Sequence, residues 1–210
     1  MKFNQQNINT FKDLKRVAKS YPGRLIDVLD CFSQNQYDCK TWLIDCLNQY
    51  PYHFKMKTND SIKIAILGGW YGLTAKLLSE NFTLKPIDEI HSYDFDPCAK
   101  NIGKIISPQI TFIEQDITEL DLSSKGYSII VNTSCEHIDQ ELLYKSIDTA
   151  PAKTLFVLQS NDMRYVQQHI NCVDSLQMFE KQYESRLEKV RAYELHKEKY
   201  TRYMLIGVKR

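Results

Sequence analysis

The segment that decides the fold reads Ile64-Ala65-Ile66-Leu67-Gly68-Gly69-Trp70-Tyr71-Gly72-Leu73-Thr74-Ala75. An apolar run passes into a glycine-rich turn and then into an amphipathic segment, which predicts a strand, a tight turn and a helix. Glycines suit such a turn because the chain bends sharply and its backbone can approach a ligand closely. The free N–H groups at the start of the helix favour a ligand there, although a turn that binds nothing has the same pattern.

Similar short apolar runs recur along the rest of the chain. They occupy residues 62–67, 89–93, 109–113, 128–132 and 154–159, and their composition is typical of strands buried on both faces. Segments with helical periodicity lie at 72–82, 97–106 and 140–150, with a short polar bridge at 119–125. Strands that alternate with helices predict a parallel, doubly wound sheet.

Both ends of the chain depart from this alternation. Residues 187–195 and 200–208 are strand-like and are joined by the short polar link 196–199, which predicts an antiparallel hairpin. Residues 1–57 carry two or three helical patterns. We therefore predict an α/β fold with a doubly wound, mostly parallel seven-stranded sheet that ends in an antiparallel hairpin. The predicted domains are an N-terminal helical cap at 1–57 and a Rossmann-like domain at 58–210.

Composition limits the classes of function. The 210 residues include 27 Lys and Arg against 26 Asp and Glu, a net charge of +1, so no global basic field favours a nucleic acid. No signal peptide or membrane span is visible, and we expect a soluble, cytoplasmic protein without a membrane partner. The six cysteines show no C-x-x-C pair and no histidines at zinc-ligand spacing, so we expect reduced, mostly buried thiols and no metal site.

Acidic residues follow the second and third predicted strands. Asp94 lies 22 positions after Gly72, where folds of this kind hold a ribose by its hydroxyls, and Phe95 is placed to pack against adenine. Asp96 precedes Pro97 and is better explained as a helix cap. Asp116 is placed to accept from the exocyclic amine of adenine, with Ile117 beside the ring.

The fourth predicted strand ends in the polar segment Asn132-Thr133-Ser134-Cys135-Glu136-His137-Ile138. Together with the three preceding segments and the final hairpin, it gives an order that resembles the class I S-adenosylmethionine-dependent methyltransferases. The resemblance implies that Gly68, Gly69 and Gly72 line the methionine and ribose portion. It also implies that Asp94 binds ribose, Asp116 adenine, and Asn132 the methionine end or the substrate. Trp70 and Tyr71 of the turn complete the predicted cofactor contacts.

The sequence departs from the family pattern at several positions. Ile66 stands where the family has an acid, and Trp70 replaces the middle glycine, so the methionine end needs other partners; Lys40 to Trp42 or Tyr71 are candidates. The signature of methyltransferases that act on nucleic-acid bases is absent. Thr133 stands where metal-binding relatives have a glutamate, which argues against a metal site.

The polar residues after the fourth and fifth strands are the candidates for catalysis and substrate binding. His137 can serve as a general base with Glu136 beside it, or both can simply orient the loop. Substrate binding is predicted for Thr133, Ser134, Gln159 and Asn161, whose hydroxyls and amides suit a polar acceptor. The predicted partner is therefore a small polar methyl acceptor.

Three other functions fit the same pattern. A nicotinamide-dependent oxidoreductase shares the glycine turn and the acid, but the terminal hairpin and the lack of a second catalytic domain count against it. An aminocarboxypropyl transferase or a lyase that uses S-adenosylmethionine has an almost identical pattern. A non-catalytic S-adenosylmethionine-binding protein is the third alternative. The sequence identifies neither the acceptor nor the oligomeric state.

Overall fold

The computed structural model describes residues 5–50 and 61–210. The helices are α1 (Gln5–Ser20), α2 (Leu25–Cys31), α3 (Gln34–Asn48), α4 (Leu73–Asn81), α5 (Pro97–Ile106), α6 (Gln140–Thr149) and α7 (Leu176–Tyr183). The strands are β1 (Ile62–Leu67), β2 (Ile87–Asp94), β3 (Thr111–Glu114), β4 (Ile129–Asn132), β5 (Leu155–Asn161), β6 (Leu187–His196) and β7 (Thr201–Lys209). The predicted domain boundary between residues 57 and 58 lies outside the described residues.

The strands form one seven-stranded sheet in the order β3-β2-β1-β4-β5-β7-β6. The first five strands pair in parallel, whereas β7 is antiparallel to both β5 and β6. This arrangement confirms the predicted doubly wound sheet with its terminal hairpin. The chain reverses its direction of travel across the sheet between β1 and β4, and ligands of open α/β sheets bind at the carboxyl ends of strands at such a point.

The central strands are buried because helices cover both faces of the sheet. Every residue of β4 and β5 is buried, as the continuous apolar runs predict. One face contributes Ile64 and Ile66 to a core cluster, and the other contributes Ala65 and Leu67 to a second cluster. The alternation of side chains along β1 thus divides the core into two layers.

The N-terminal helices complete the first of these layers. Val17, Val28 and Leu43 are fully buried in the same cluster as Ile64, and Trp42 packs against that cluster. Helix α1 contacts α5, and α3 contacts α4. The helices therefore share a core with the sheet, and this packing holds α2 and α3 beside the carboxyl end of β1.

Helix α7 was not predicted from the sequence. It follows a polar loop after β5, and its buried residues Phe179 and Tyr183 pack in the second core cluster. The sequence carries a signal for it, because Leu176, Phe179 and Tyr183 recur at helical spacing. The helix covers the face of the sheet beside the hairpin.

Candidate active site

The turn after β1 has a left-handed backbone at three positions. Gly68, Trp70 and Gly72 have φ angles of 67°, 47° and 90°. Trp70 lacks the freedom of glycine, and its N–H donates to Asp94 Oδ2 at 2.9 Å. The N–H of Gly69 donates to the carbonyl of Tyr93 at 2.9 Å. Strand β2 therefore holds the turn in place.

The three glycines of the turn are required for different reasons. A Cβ atom on Gly69 would lie 2.0 Å from Ser92 Oγ, and one on Gly72 would lie 2.5 Å from the Phe112 ring. A Cβ atom on Gly68 would meet only Ser134, at 3.9 Å. Close packing accounts for Gly69 and Gly72, whereas the space beside Gly68 is open to a ligand.

A cleft of about 500 Å³, which includes its solvent-filled mouth, opens beside this turn. It lies between the ends of β1 and β4, at the reversal point of the sheet, and helices α2 and α3 contribute to its wall. Its lining includes Cys31, Gln36, Lys40, Gly68, Gly69, Trp70, Leu73, Thr74, Thr133, Ser134, Glu136, His137 and Arg202.

A buried ion pair forms one wall of the cleft. Glu136 and Arg202 are 3% and 5% exposed, and Arg202 Nη1 lies 3.2 Å from Glu136 Oε1. The same carboxylate oxygen accepts from Asn161 Nδ2 at 2.6 Å, and Arg202 also donates to the carbonyl of Thr133 at 3.3 Å. These contacts hold Glu136 rigidly beside Thr133.

Lys40 brings a second buried positive charge to the cleft. Its side chain belongs to α3 and is 7% exposed, and among the described residues its ammonium group has no hydrogen bond or ion pair. Burial is the main cause that lowers the pKa of Lys40 to about 8, and the positive charge of Arg202 acts in the same direction. A buried amine without a partner favours an anionic ligand.

Asp94 lies beside the cleft, at the end of β2. Its Oδ2 atom accepts from Trp70 N, and its Oδ1 atom accepts from Asp96 N at 3.1 Å. Burial raises the pKa of Asp94, and these backbone donors oppose that effect. Each carboxylate oxygen retains a further lone pair for a ligand.

Comparison with known proteins identifies the fold. No family model matches the sequence, and no curated protein matches it significantly. The CurJ carbon methyltransferase matches 97% of this chain and 67% of its own at 13% identity, with a TM-score of 0.68. The magnesium protoporphyrin IX methyltransferase ChlM from Synechocystis PCC 6803, with bound SAH, matches 94% of this chain and 100% of its own at 11% identity and a TM-score of 0.67.

The plantazolicin methyltransferase BpumL, in complex with SAH and a pentazolic desmethylPZN analog, matches 98% of this chain and 99% of its own. The identity is 13% and the TM-score 0.64. The chain has the class I methyltransferase fold. The N-terminal helices are part of the likeness, because these matches extend over nearly all of the sequence.

Within this methyltransferase fold, the predicted site residues fall into three groups. The first group lines the cleft and comprises Gly68, Gly69, Trp70, Thr133, Ser134, Glu136 and His137. The second group lies along the carboxyl edge toward β3 and comprises Asp94, Phe95, Asp116 and Ile117. The third group is buried in the interior and comprises Tyr71, Gly72, Asn132, Gln159 and Asn161.

The residues of the second group lie along the carboxyl edge of the sheet, away from the cleft. Phe95 is 76% exposed beside Asp94. Asp116 is exposed, and its Oδ1 accepts from the backbone N–H of Thr118 at 2.9 Å, so it caps the short 3-10 helix Ile117–Glu119. Asp96 accepts from Cys98 N at 2.8 Å, which confirms its predicted role as the cap of α5.

The buried group supports the cleft from within. Tyr71 and Gln159 are fully buried, and Gln159 Nε2 donates to the carbonyl of Cys39 at 3.4 Å. Asn132 Oδ1 accepts from Ser134 N at 2.8 Å, and Asn161 holds Glu136. The predicted direct contacts of these residues with a ligand stay predictions, and their observed contacts are with the protein itself.

Sequence reasoning did not identify Arg202 or His169 as part of the site. Arg202 lies in the terminal hairpin, opposite Asn161 in the register of β5 and β7. His169 belongs to the loop after β5, and its ring lies 4.5 Å from that of His137. Arg202 has no local signal, because it joins the site through strand pairing. His169 lies in a polar segment after β5, which is a local signal, but the sequence does not show its contact with His137.

All six cysteines are free, and Cys31, Cys39, Cys135 and Cys172 are buried, as expected for structural thiols. No helix among residues 5–50 and 61–210 has the length and apolar character needed to cross a membrane.

Proposed function

We propose that the protein is an S-adenosylmethionine-dependent methyltransferase that acts on a small polar acceptor. The observation that carries the proposal is the cleft at the reversal point between β1 and β4, with a glycine turn on one side and the polar residues that follow β4 on the other. The fold supports it, because open α/β sheets bind their ligands at this position. The domains proposed are a helical cap at 1–57 and a Rossmann-like domain at 58–210.

The nucleoside of the cofactor fits the edge of the sheet from the cleft toward β3. We assign the ribose hydroxyls to Asp94, whose two oxygens retain lone pairs beside the turn. We assign the adenine to Phe95, Asp116 and Ile117, which follow along the same edge. The exposed ring of Phe95 offers the apolar surface that a base requires.

The methionine end fits beside Gly68 and Lys40. The N-terminus of α4 offers backbone N–H groups, and the ammonium group of Lys40 supplies the positive charge that a carboxylate needs. Lys40 thus accounts for one of the partners required at the methionine end. Its location on α3 also gives the helical cap a role, because the cap then closes over the cofactor.

Bound S-adenosylmethionine supplies a methyl carbon that its sulfonium activates for in-line displacement. The residues of the chain then orient the acceptor, exclude water and receive its proton. Thr133 and Ser134 offer hydroxyls at the cleft wall. His137 Nδ1 lies 3.2 Å from the carbonyl of Gln168; if it donates its hydrogen there, Nε2 is free to accept a proton. Glu136 acts as a positioning residue, since Arg202 and Asn161 fix its carboxylate.

Calorimetric titration with S-adenosylmethionine, S-adenosylhomocysteine and NADH tests the cofactor. We expect binding of the first two and no response to NADH. Binding of NADH alone would favour an oxidoreductase and overturn the proposal. Binding of neither sulfur compound would also overturn it and favour an interaction protein.

Product analysis tests the type of transfer. Methyl transfer releases S-adenosylhomocysteine, whereas aminocarboxypropyl transfer releases methylthioadenosine. His137→Ala is expected to lower turnover more than it lowers cofactor affinity. Unchanged turnover would remove His137 from catalysis and leave it a role in orienting the loop.

A further inference from the structure

Three potential metal ligands meet on the β4 side of the cleft. Glu136 and His137 belong to the short 3-10 helix after β4, and His169 belongs to the loop after β5. One ligand atom from each residue lies within 4.8 Å of the other two. The rings of His137 and His169 are 4.5 Å apart and nearly perpendicular. Ligand atoms on one tetrahedral Zn²⁺ lie about 3.4 Å apart, so small side-chain movements would bring these three atoms onto a single ion.

The two segments that carry these residues are tied together by hydrogen bonds. The N–H of Asn171 donates to the carbonyl of Glu136 at 2.9 Å, and Asn171 Nδ2 donates to the carbonyl of Cys135 at 3.3 Å. The carbonyl of Gln168 lies 3.2 Å from His137 Nδ1. These hydrogen bonds between the two segments hold His169 close to Glu136.

Two of the three groups have a buried polar atom without a partner. Glu136 Oε2 and His169 Nδ1 are buried and have no hydrogen bond among the described residues. Glu136 is 3% exposed, and its other oxygen already accepts from Arg202 and Asn161. Buried polar atoms are satisfied in most proteins, so these two atoms are available to a bound group.

His137 is oriented to present its second nitrogen. When Nδ1–H donates to the carbonyl of Gln168, the lone pair is on Nε2. A backbone carbonyl that fixes the tautomer in this way is the usual companion of a metal-binding histidine. The ring thus offers a ligand atom without further rearrangement of its hydrogen bond.

We propose that Glu136, His137 and His169 bind one divalent transition-metal ion, of the class that prefers imidazole nitrogen. Two nitrogen ligands and one oxygen suit Zn²⁺ and related ions, whereas Mg²⁺ and Ca²⁺ prefer oxygen ligands. Arg202 neutralises much of the charge of Glu136, so the site offers little net attraction to a cation. Affinity must then come from the imidazoles, which further favours a transition metal.

The sequence predicted no metal site because Thr133 replaces a glutamate. The third ligand comes instead from His169, 32 residues beyond His137 in the chain. Three protein ligands leave coordination positions open, and His137 and Glu136 line the cleft. If the proposed function holds, an open position faces the acceptor. The bound ion takes up the Nε2 lone pair of His137, so His137 can accept a proton only in the metal-free chain.

Titration of the metal-free, tag-free chain with ZnCl₂ in a calorimeter tests the site. We expect one ion per chain and a weakening of about tenfold or more in His137→Ala and in His169→Ala. His196→Ala is the matched control, because His196 is exposed on the hairpin and lies outside the cluster. No binding, or equal binding by wild type and His169→Ala, would overturn the proposal, as would an equal loss in His196→Ala.

A second probe excludes the free cysteines as ligands. Cobalt(II) bound by imidazole and carboxylate gives d–d absorption without a thiolate-to-metal charge-transfer band. A charge-transfer band that persists in His169→Ala would assign the ion to thiols and overturn the site. Thermal unfolding of each variant without metal shows whether it folds, and His169→Asn replaces His169→Ala if the latter does not.

The metal titration is independent of the proposed methyl transfer. It is made without S-adenosylhomocysteine, and the cofactor titration is made without metal. Zinc binding without cofactor binding would retain the metal site and reject the methyltransferase. Cofactor binding without zinc binding would do the reverse.

Discussion

The guanidinium group of Arg202 lies 3.2 Å from the carboxylate of Glu136, and both side chains are buried at the wall of the cleft. The pair joins the terminal hairpin to the segment after β4 across 66 residues of sequence. Desolvation of two charges is costly, and the attraction between the two ions offsets that cost only while both partners are present. The geometry of the cleft therefore depends on the pair.

Arg202→Met is expected to lower the free energy of unfolding by about 3–5 kcal/mol, because it leaves a buried carboxylate without its partner. Glu136→Gln should have a similar cost, and the double variant should cost much less than both together. Urea unfolding of the four proteins measures the coupling. The exposed pair Lys76–Glu80 is the control, with about 0–1 kcal/mol expected for the same replacements. Additive costs at Arg202 and Glu136 would show that the two charges do not stabilise each other.

Lys40→Met is expected to raise the free energy of unfolding at pH 7 by roughly 3 kcal/mol, because it removes a buried charge that has no hydrogen bond or ion pair within residues 5–50 and 61–210. The pKa of Lys40 is 10.5 in a model peptide and about 8 in the folded chain. Arg202 lowers it, while Glu136 and the thiols of Cys31 and Cys39 oppose that shift.

The sign of the pH dependence follows from this difference. Below pH 8 both states are protonated, and the cost of the buried charge is fully present. Between pH 8 and 10.5 the folded chain loses its proton first, so the wild type becomes more stable relative to Lys40→Met as pH rises. Urea unfolding at several pH values measures the change. A variant less stable than wild type at pH 7 would contradict this account, and Lys104→Met at an exposed lysine is the control.

The same Lys40 variant should bind S-adenosylhomocysteine about tenfold more weakly or worse, because a charged hydrogen bond to the methionine carboxylate is lost. Calorimetric titration measures the affinity. A variant that is more stable and binds equally well would show that Lys40 does not contact the cofactor.

The fold could be predicted from the sequence because its signals are local. The apolar run predicts the bounds of β1, and Asp96-Pro97 predicts the start of α5. The structure has both elements at the predicted bounds. Continuous apolar runs identified the parallel strands, and a short polar link identified the hairpin. Helix α7 was missed although Phe179 and Tyr183 carried its periodicity, since a polar loop precedes it.

The site could be predicted only in part. Gly68 follows β1 directly, and Glu136 and His137 lie in the polar segment after β4. The rule that ligands bind at the carboxyl ends of strands therefore predicted all three. The sequence does not distinguish Gly69 from Gly68. In the structure, Gly69 has to be glycine because a Cβ atom there would clash with Ser92. Arg202 joins the site through strand pairing, and the sequence does not show which side of the sheet its guanidinium group reaches.

Asp94→Asn is expected to weaken binding of S-adenosylhomocysteine more than tenfold, because an amide cannot accept from two ribose hydroxyls and from the backbone at once. The remaining oxygen still accepts one of the two N–H groups, of Trp70 or Asp96, so the fold should persist. Calorimetry measures affinity, and thermal unfolding checks the fold. Asp88→Asn, at an exposed position of the same strand, should bind as wild type does. Unchanged affinity in Asp94→Asn would remove the ribose assignment.

Gly68→Ala separates ligand contact from backbone strain. Gly68 and Gly126 have similar φ angles of 67° and 72°, so alanine should cost about 1–2 kcal/mol of stability at either position. A Cβ atom at Gly126 meets nothing within 4 Å, and one at Gly68 meets only Ser134, so neither variant creates a clash in the protein. The two should therefore unfold at similar urea concentrations. Only the Gly68 methyl group projects into the cleft, and only Gly68→Ala should lose affinity for S-adenosylhomocysteine in calorimetry. Equal affinity of the two variants would mean that the cofactor does not lie against the turn after β1, and the cleft would then have to bind another ligand.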